Sequence, residues 1–316
     1  MLADYEHDWL LRSLASNRYV YALHDKISTA ICNQYDTWTK SKLRDNFNLA
    51  VNRLCSQLGD NIYVALSGGI DSQVACLSLR QNNINFTAGI MVFANEFNSM
   101  DYEHAILFCI KNNIPYVTVT IDLINFLVNS LSSYVDLYQC PSPQISTHFY
   151  FYNKLRELYH PSAIICGGTN IRLVNGSWAY GLSRSQTAWT TYKRYHNFPL
   201  VGDFLSSSWD INLLLMMTSL NIETADVTED NQVHYSSKVL GMKQAGFDII
   251  PQDKKYTGFE NLKKYLNDQS RKTRVFDHRF RVPNEARVPE YKGSLKLDDL
   301  TTNCLNLAYK QINIDN

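Results

Sequence analysis

Between residues 61 and 166, short β-rich apolar runs alternate with segments of helical length, and no other feature restricts the fold as much. Residues 61–66 (Asn-Ile-Tyr-Val-Ala-Leu), 86–93, 115–121 and 163–166 (Ala-Ile-Ile-Cys) read as strands, rich in β-branched and aromatic residues. Between them, residues 71–81, 99–112, 123–131 and 144–158 read as helices, with apolar positions three and four apart in the clearest of them. Strands alternating with helices of ten to fifteen residues predict βαβ units. The expected fold is α/β: an open parallel sheet with helices on both faces.

The flanks read differently. From Leu43 the apolar positions Phe47, Ala50, Val51, Leu54 and Leu58 form one helical stripe, and Gly59 stands where a helix-ending glycine belongs. Trp9, Tyr19, Tyr21, Tyr35 and Trp38 read as packing for a helical N-terminal cap. Beyond residue 170, Asn175-Gly176 and Pro199 mark loops, and residues 211–220, 236–246 and 259–268 read as short helices. The expected units are a cap over 1–58, an α/β domain over 59–200, and a helical and irregular C-terminal region over 201–316.

Composition excludes several classes. Thirty Lys and Arg balance thirty Asp and Glu, which argues against a protein that coats nucleic acid through bulk positive charge. The charge is unevenly spread, however: residues 251–296 hold twelve basic and six acidic side chains, a net of +6. No two of the seven cysteines are spaced C-x-x-C, so zinc ribbons and thioredoxin-type redox pairs are not indicated, and a reducing compartment is expected. The start of the chain has no basic-then-apolar signal pattern, and no apolar stretch reaches about 18 residues. A cytoplasmic protein without a membrane contact is expected.

The chemistry is concentrated in Ser67-Gly-Gly-Ile-Asp-Ser72, set between the first strand and the following helix. Gly68 and Gly69 let the backbone turn sharply and approach a ligand, exposing N–H donors. The helix then offers its N-terminus as an anion site, and Ser67 and Ser72 add hydroxyls. Asp71 would repel a bare phosphate, so it implies Mg²⁺ between carboxylate and phosphate oxygens. The Walker pattern G-x-x-x-x-G-K-[ST] is absent.

Ser-Gly-Gly-x-Asp-Ser resembles the signature of the PP-loop (N-type) ATP pyrophosphatases, including the synthetase domains of asparagine, GMP and NAD synthetases and several tRNA-modifying enzymes. The resemblance covers about residues 60–170, and more faintly extends to about 260. It implies an adenine nucleotide alpha hydrolase-like fold with ATP and Mg²⁺ as ligands. The reaction it implies is AMP-forming: a substrate oxygen attacks the α-phosphorus, pyrophosphate leaves, and a nucleophile displaces AMP. Carried over, Ser67, Gly68, Gly69, Asp71 and Ser72 match the pyrophosphate loop, with Ser67 and Asp71 catalytic and Asp71 a metal ligand. Ala65 and Leu66, with Met91, Val92 and Phe93 at the end of the second strand, match the adenosine slot. Gly167-Gly-Thr-Asn170 resembles the Gly-Thr loop that faces ATP in NAD synthetases, which makes Gly168 and Thr169 nucleotide contacts. Lys254-Lys-Tyr-Thr-Gly-Phe259 resembles the late Lys…Gly-Phe segment of asparagine synthetases, whose lysine reaches the phosphates. That lysine falls on Lys255, with a spacing one residue longer.

The sequence departs from the family where Ile171-Arg172-Leu173 stands in place of an acidic residue, leaving a second metal ligand unassigned. His148, His160, His196 and His234 share no metal spacing. Cys140, before Pro-Ser-Pro143, fits either a sulfur-handling thiol or a core residue. The basic, aromatic-interleaved run over 271–281 fits a solvated arm or the contact of a homodimer, or else a contact to nucleic acid or a charged substrate. The expected function is ATP-dependent, AMP-forming ligation of the asparagine synthetase type, adenylating a carboxylate or carbonyl-type oxygen of a small-molecule acceptor. The same chemistry on a nucleobase of tRNA or DNA, or ATP binding without turnover, are the alternatives.

Overall fold

The computed structural model describes residues 40–138, 140, 143–168, 171–174, 177–181, 184–207, 211, 231–252, 258–259, 261–262 and 294–296. Within them, helix α1 (Lys40–Cys55) precedes β1 (Ile62–Ala65), α2 (Ile70–Gln81), β2 (Phe86–Phe93), α3 (Ser99–Asn112) and β3 (Tyr116–Ile121). A short α4 (Leu123–Asn125) runs through a π-helical turn, Phe126–Ser130, into α5 (Leu131–Tyr138). Next come α6 (Pro143–Tyr159), β4 (Ala163–Cys166), a hairpin of β5 (Ile171–Val174) and β6 (Ser177–Gly181), α7 (Arg184–His196) and β7 (Leu200–Val201). A 3₁₀ turn at Phe204–Ser206, helix α8 (Asn231–Gln244) and β8 (Ser294–Lys296) complete the set.

Five strands form one sheet in the order β3-β2-β1-β4-β7, all parallel. The chain steps from β1 outward to β3, then returns across β1 to place β4 on its other side. Strand order therefore reverses between β1 and β4, where Ala65 lies beside Cys166. The hairpin β5–β6, with β8, makes a separate antiparallel sheet.

The alternation of β1 and β4 sorts the core onto two faces. Ile62, Val64, Ala163 and Ile165 pack with α1, α2, α3 and α8. Tyr63, Ile164 and Cys166 face α5, α6 and α7. Both faces are thus covered by helices, as buried parallel strands require. The stripe read from Leu43 is the buried side of α1, where Phe47 and Val51 are fully enclosed. Helix α8 joins the same core through Met242, followed by Ala245, Phe247 and Ile249. No helix among the described residues is long and apolar enough to cross a membrane.

Candidate functional site

In an open parallel sheet, ligands bind beyond the carboxyl ends of the strands where strand order reverses. Here that crevice lies between the loop after β1, Ser67-Gly-Gly69, and the one after β4, Gly167-Gly168. Three of these four glycines, Gly68, Gly167 and Gly168, have no room for a side chain. Gly68 has φ +76°, and a Cβ there would stand 2.6 Å from the Asp101 carbonyl oxygen. A Cβ on Gly167 would run into the backbone of Asp71 and Ser72, and one on Gly168 into the Asp203 carboxylate. The β4 loop therefore lies directly against the first turn of α2.

The loop is braced from within. The Ser72 hydroxyl donates to the Gly69 carbonyl at 2.8 Å and accepts from the Ser67 N–H at 3.2 Å. The Ser67 and Ser72 oxygens are 3.3 Å apart, with Ser67 exposed and Ser72 buried. Gly69 is the N-cap of α2 and supplies no side-chain cap to its first turn.

Beneath the loop, Gln73 is fully buried and ties it to a distant segment. Its amide donates to the carbonyls of Gly68 and Ile250, both at 2.8 Å, and accepts from the Ile250 N–H at 2.7 Å. His104 Nε2 stands 2.8 Å from the same Ile250 carbonyl. A carbonyl only accepts, so this nitrogen carries a proton, and its 3.3 Å approach to Gln73 Nε2 is a contact between two donors. Gln252 donates to Asp101 at 3.2 Å, fixing the same segment to the start of α3.

Asp71, in the first turn of α2, meets a cation. Lys238 on α8 places its ammonium 2.6 Å from Oδ1 and 2.7 Å from Oδ2. The hydrogen bond goes to Oδ2. Oδ1 lies off a donor direction, so it counts as close in charge while lacking an aligned hydrogen bond. The side chains of Lys238 and Asp71 are 22% and 29% exposed. A buried carboxylate oxygen without an aligned donor, with an ammonium standing where a cation binds, fits a Mg²⁺ ligand. No cluster of three or more metal-ligating side chains occurs among the described residues.

On the β2 side, Leu66 N–H bonds the Gly89 carbonyl, and Asn98 bridges the strand end by donating to Met91 O and accepting from Phe93 N–H. Met91 and Val92 are half-buried and Phe93 is enclosed. The Phe259 ring meets Phe93 edge-on at 6.0 Å, and Gly258 (φ +79°) packs on Asn98 and Phe93. The Gly-Phe pair of the late segment thus lies at the end of β2. On the β4 side, the Cys166 thiol donates to the Tyr152 hydroxyl at 3.2 Å. Burial holds that phenol well above its ordinary pKa.

The structure thus gathers Ala65, Leu66, Ser67, Gly68, Gly69, Asp71, Ser72 and Gly168 in one crevice, with Met91, Val92 and Phe93 at the end of the adjacent strand. Thr169, Lys255, the run over 271–281 and the aromatic residues of the N-terminal cap lie outside the described residues, and His234 lies on α8. Cys140 is buried in the second core cluster, and every described cysteine is a buried thiol outside any disulfide. His148 and His196 belong to an aromatic cluster against α6 and α7. Sequence reasoning missed Lys238, Gln73, His104 and Gln252. Only Gln73 carried a signal: a polar residue directly before the small and largely apolar stretch from Val74 to Leu79.

No family model matches the chain, and no curated protein matches it. Solved structures similar to the chain include the following two. One is a predicted subunit of tRNA methyltransferase from Methanocaldococcus jannaschii, at 17% identity over 45% of this chain and 66% of that one, with a TM-score of 0.31. The other is NMN synthetase from Francisella tularensis, at 16% identity over 74% of this chain and 95% of that one, with a TM-score of 0.34. Neither overlay defines the fold at these scores. The fold class, an α/β parallel sheet of the adenine nucleotide alpha hydrolase-like type, rests on the strand order. The resemblance to PP-loop ATP pyrophosphatases rests on Ser67-Gly-Gly-Ile-Asp-Ser72 and its place in that order.

Proposed function

We propose that the crevice binds ATP with its polyphosphate on the β1 loop, and that the chain is an AMP-forming enzyme. One observation carries the reading: the Ser-Gly-Gly-Ile-Asp-Ser loop and an uncapped helix N-terminus coincide at the reversal point of a parallel sheet. Gly68 and Gly69 would present backbone donors to phosphate oxygens, and Ser67, the exposed hydroxyl of the loop, a further donor. Asp71 would hold a divalent cation, which supplies neutralisation of phosphate charge when bound. Met91 and Val92 would border the base, and Gly167-Gly168, packed on α2, would form the opposite wall.

In the reaction, an acceptor oxygen forms a bond to the α-phosphorus while the bond from that phosphorus to the bridging oxygen breaks and pyrophosphate leaves. A nucleophile then takes the acceptor and releases AMP. The acceptor is a carboxylate or carbonyl-type oxygen of a small molecule, in the manner of asparagine synthetases.

The test is product identity. Incubation with Mg²⁺-ATP and candidate acceptors is expected to give AMP and pyrophosphate, and Asp71→Asn to lower both metal-dependent binding and turnover at least about a hundredfold. ADP and phosphate as products would overturn the AMP-forming assignment. Tight Mg²⁺-ATP binding without turnover across acceptors would favour a nucleotide-binding protein.

A further inference from the structure

The contact between Lys238 and Asp71 joins residues 167 positions apart, and its support is built into the fold. Lys238 lies one helical turn before Met242, on the same face of α8, and Met242 is buried in the core beside the sheet. The far end of α8 is clamped: the Arg44 guanidinium donates to the Ala245 carbonyl and lies 4.8 Å from the centre of the Phe247 ring. Burial lowers the Arg44 pKa, as expected for a cation packed between rings. A helix anchored this way delivers its lysine to one place.

We propose that Lys238 is an internal counter-ion that keeps a lone divalent cation off Asp71, so that metal enters this site only together with a polyphosphate. The ammonium already spans both carboxylate oxygens, so the pair is neutral. A bare divalent cation arriving at Asp71 meets a positive charge at contact distance, in a site shielded enough that water screens it poorly. A metal that arrives with phosphate oxygens brings the anion to which Lys238 can turn. Its flexible four-carbon stem and three donors suit that exchange, whereas a planar guanidinium would hold both oxygens in a fixed fork. The second half of the proposal rests on reading the loop as a polyphosphate site; the first half does not.

The experiment is a titration of the full chain with Mn²⁺, followed by the electron paramagnetic resonance signal of the free aqueous ion. It compares wild type, Lys238→Met, Lys238→Arg and the double variant Asp71→Asn/Lys238→Met. Without nucleotide, Lys238→Met is expected to bind one Mn²⁺ at least about tenfold tighter than wild type. Lys238→Arg should exclude the ion as wild type does, and the double variant should lose the gained site. Thermal melts supply a second readout: Mn²⁺ should raise the melting temperature of Lys238→Met and leave wild type unmoved. Should Lys238→Met fail to fold, Lys238→Gln replaces it. Equal Mn²⁺ affinity in wild type and the Lys238 variant, or a gained site that survives Asp71→Asn, would overturn the counter-ion role. A parallel titration adds α,β-methylene-ATP, which cannot be cleaved between its α and β phosphates, and is expected to create the Mn²⁺ site in wild type. If the analogue binds without bringing Mn²⁺, the exchange is refuted. If it does not bind at all, the nucleotide reading fails, and the metal-only comparison still decides the counter-ion role.

Discussion

Gln73 shows how one buried amide governs the shape of the loop. Its two N–H groups and its carbonyl are all used, on Gly68 and on both backbone groups of Ile250. Replacing it with Leu keeps the approximate volume but strands a carbonyl and an N–H away from water, at roughly 1–3 kcal/mol for each group left unsatisfied. Gln73→Leu is therefore expected to lower unfolding free energy by about 2–4 kcal/mol in urea melts. It should also weaken ATP binding, because the Gly68 carbonyl loses its anchor. A change within about 0.5 kcal/mol, the usual range for an unconstrained surface site, would show that the segment ending at Gln252 is not held by this residue. Gly68→Ala is expected to fail more sharply in binding. The positive φ and the Asp101 carbonyl both oppose a Cβ, so the loop must move to admit one.

At the scale of elements, α5, α6 and α7 enclose a cluster of Tyr134, Tyr138, Phe149, Tyr192 and His196 under the edge of the sheet. The Tyr138 hydroxyl and His196 Nε2 share a hydrogen bond at 2.7 Å. Burial, and then the Arg156 charge, pull the His196 pKa down from 6.5 to about 4. Between those values the unfolded chain takes up a proton that the folded one refuses. Stability from this site is thus complete above about pH 6.5 and declines as pH falls toward 4. Melting curves recorded across that range should slope downward with acid, and His196→Gln should flatten the slope. An unaltered slope would place the acid sensitivity elsewhere. Helix ends at this scale follow the composition of the chain. Asn83, Asn113 and Asn197 adopt positive φ just past α2, α3 and α7, where glycine is more usual. Strands β5 and β6, on either side of Asn175-Gly176, pair antiparallel, whereas the sequence marks only a loop there. Strands of four and five residues are too short to show their alternation, and the third strand of that sheet, β8, lies more than a hundred residues away.

Across the whole molecule, the five described strands of the parallel sheet all lie between residues 62 and 201, well before the basic run over 271–281. Removing those eleven residues while keeping Ser294–Lys296, which pair with β6, should leave the melting temperature unchanged. If the run closes over an anionic ligand, affinity for ATP or acceptor falls in the shortened chain. If it contacts RNA or DNA, salt-sensitive retention on that polymer is lost. Unchanged behaviour in both assays would make it a solvated arm. The sequence by itself determined the strands at 86–93 and 163–166, the helix at 99–112 and the loop-to-helix junction at 67–72. Each is a local pattern, a period of two or three to four residues closed by glycine or asparagine, and local patterns are written in neighbouring residues. It did not determine the two-residue strand β7, whose pairing with β4 is its only evidence. Nor did it bring Lys238 to Asp71, or Ile250 and Gln252 to the underside of the loop. Those partners are separated by 151 to 177 residues, and no periodicity extends across such a gap. Only the packing of α8 and the segment after it onto the face of the sheet that carries α2 and α3 closes that distance, so the charge balance at the candidate site was decided by the tertiary structure.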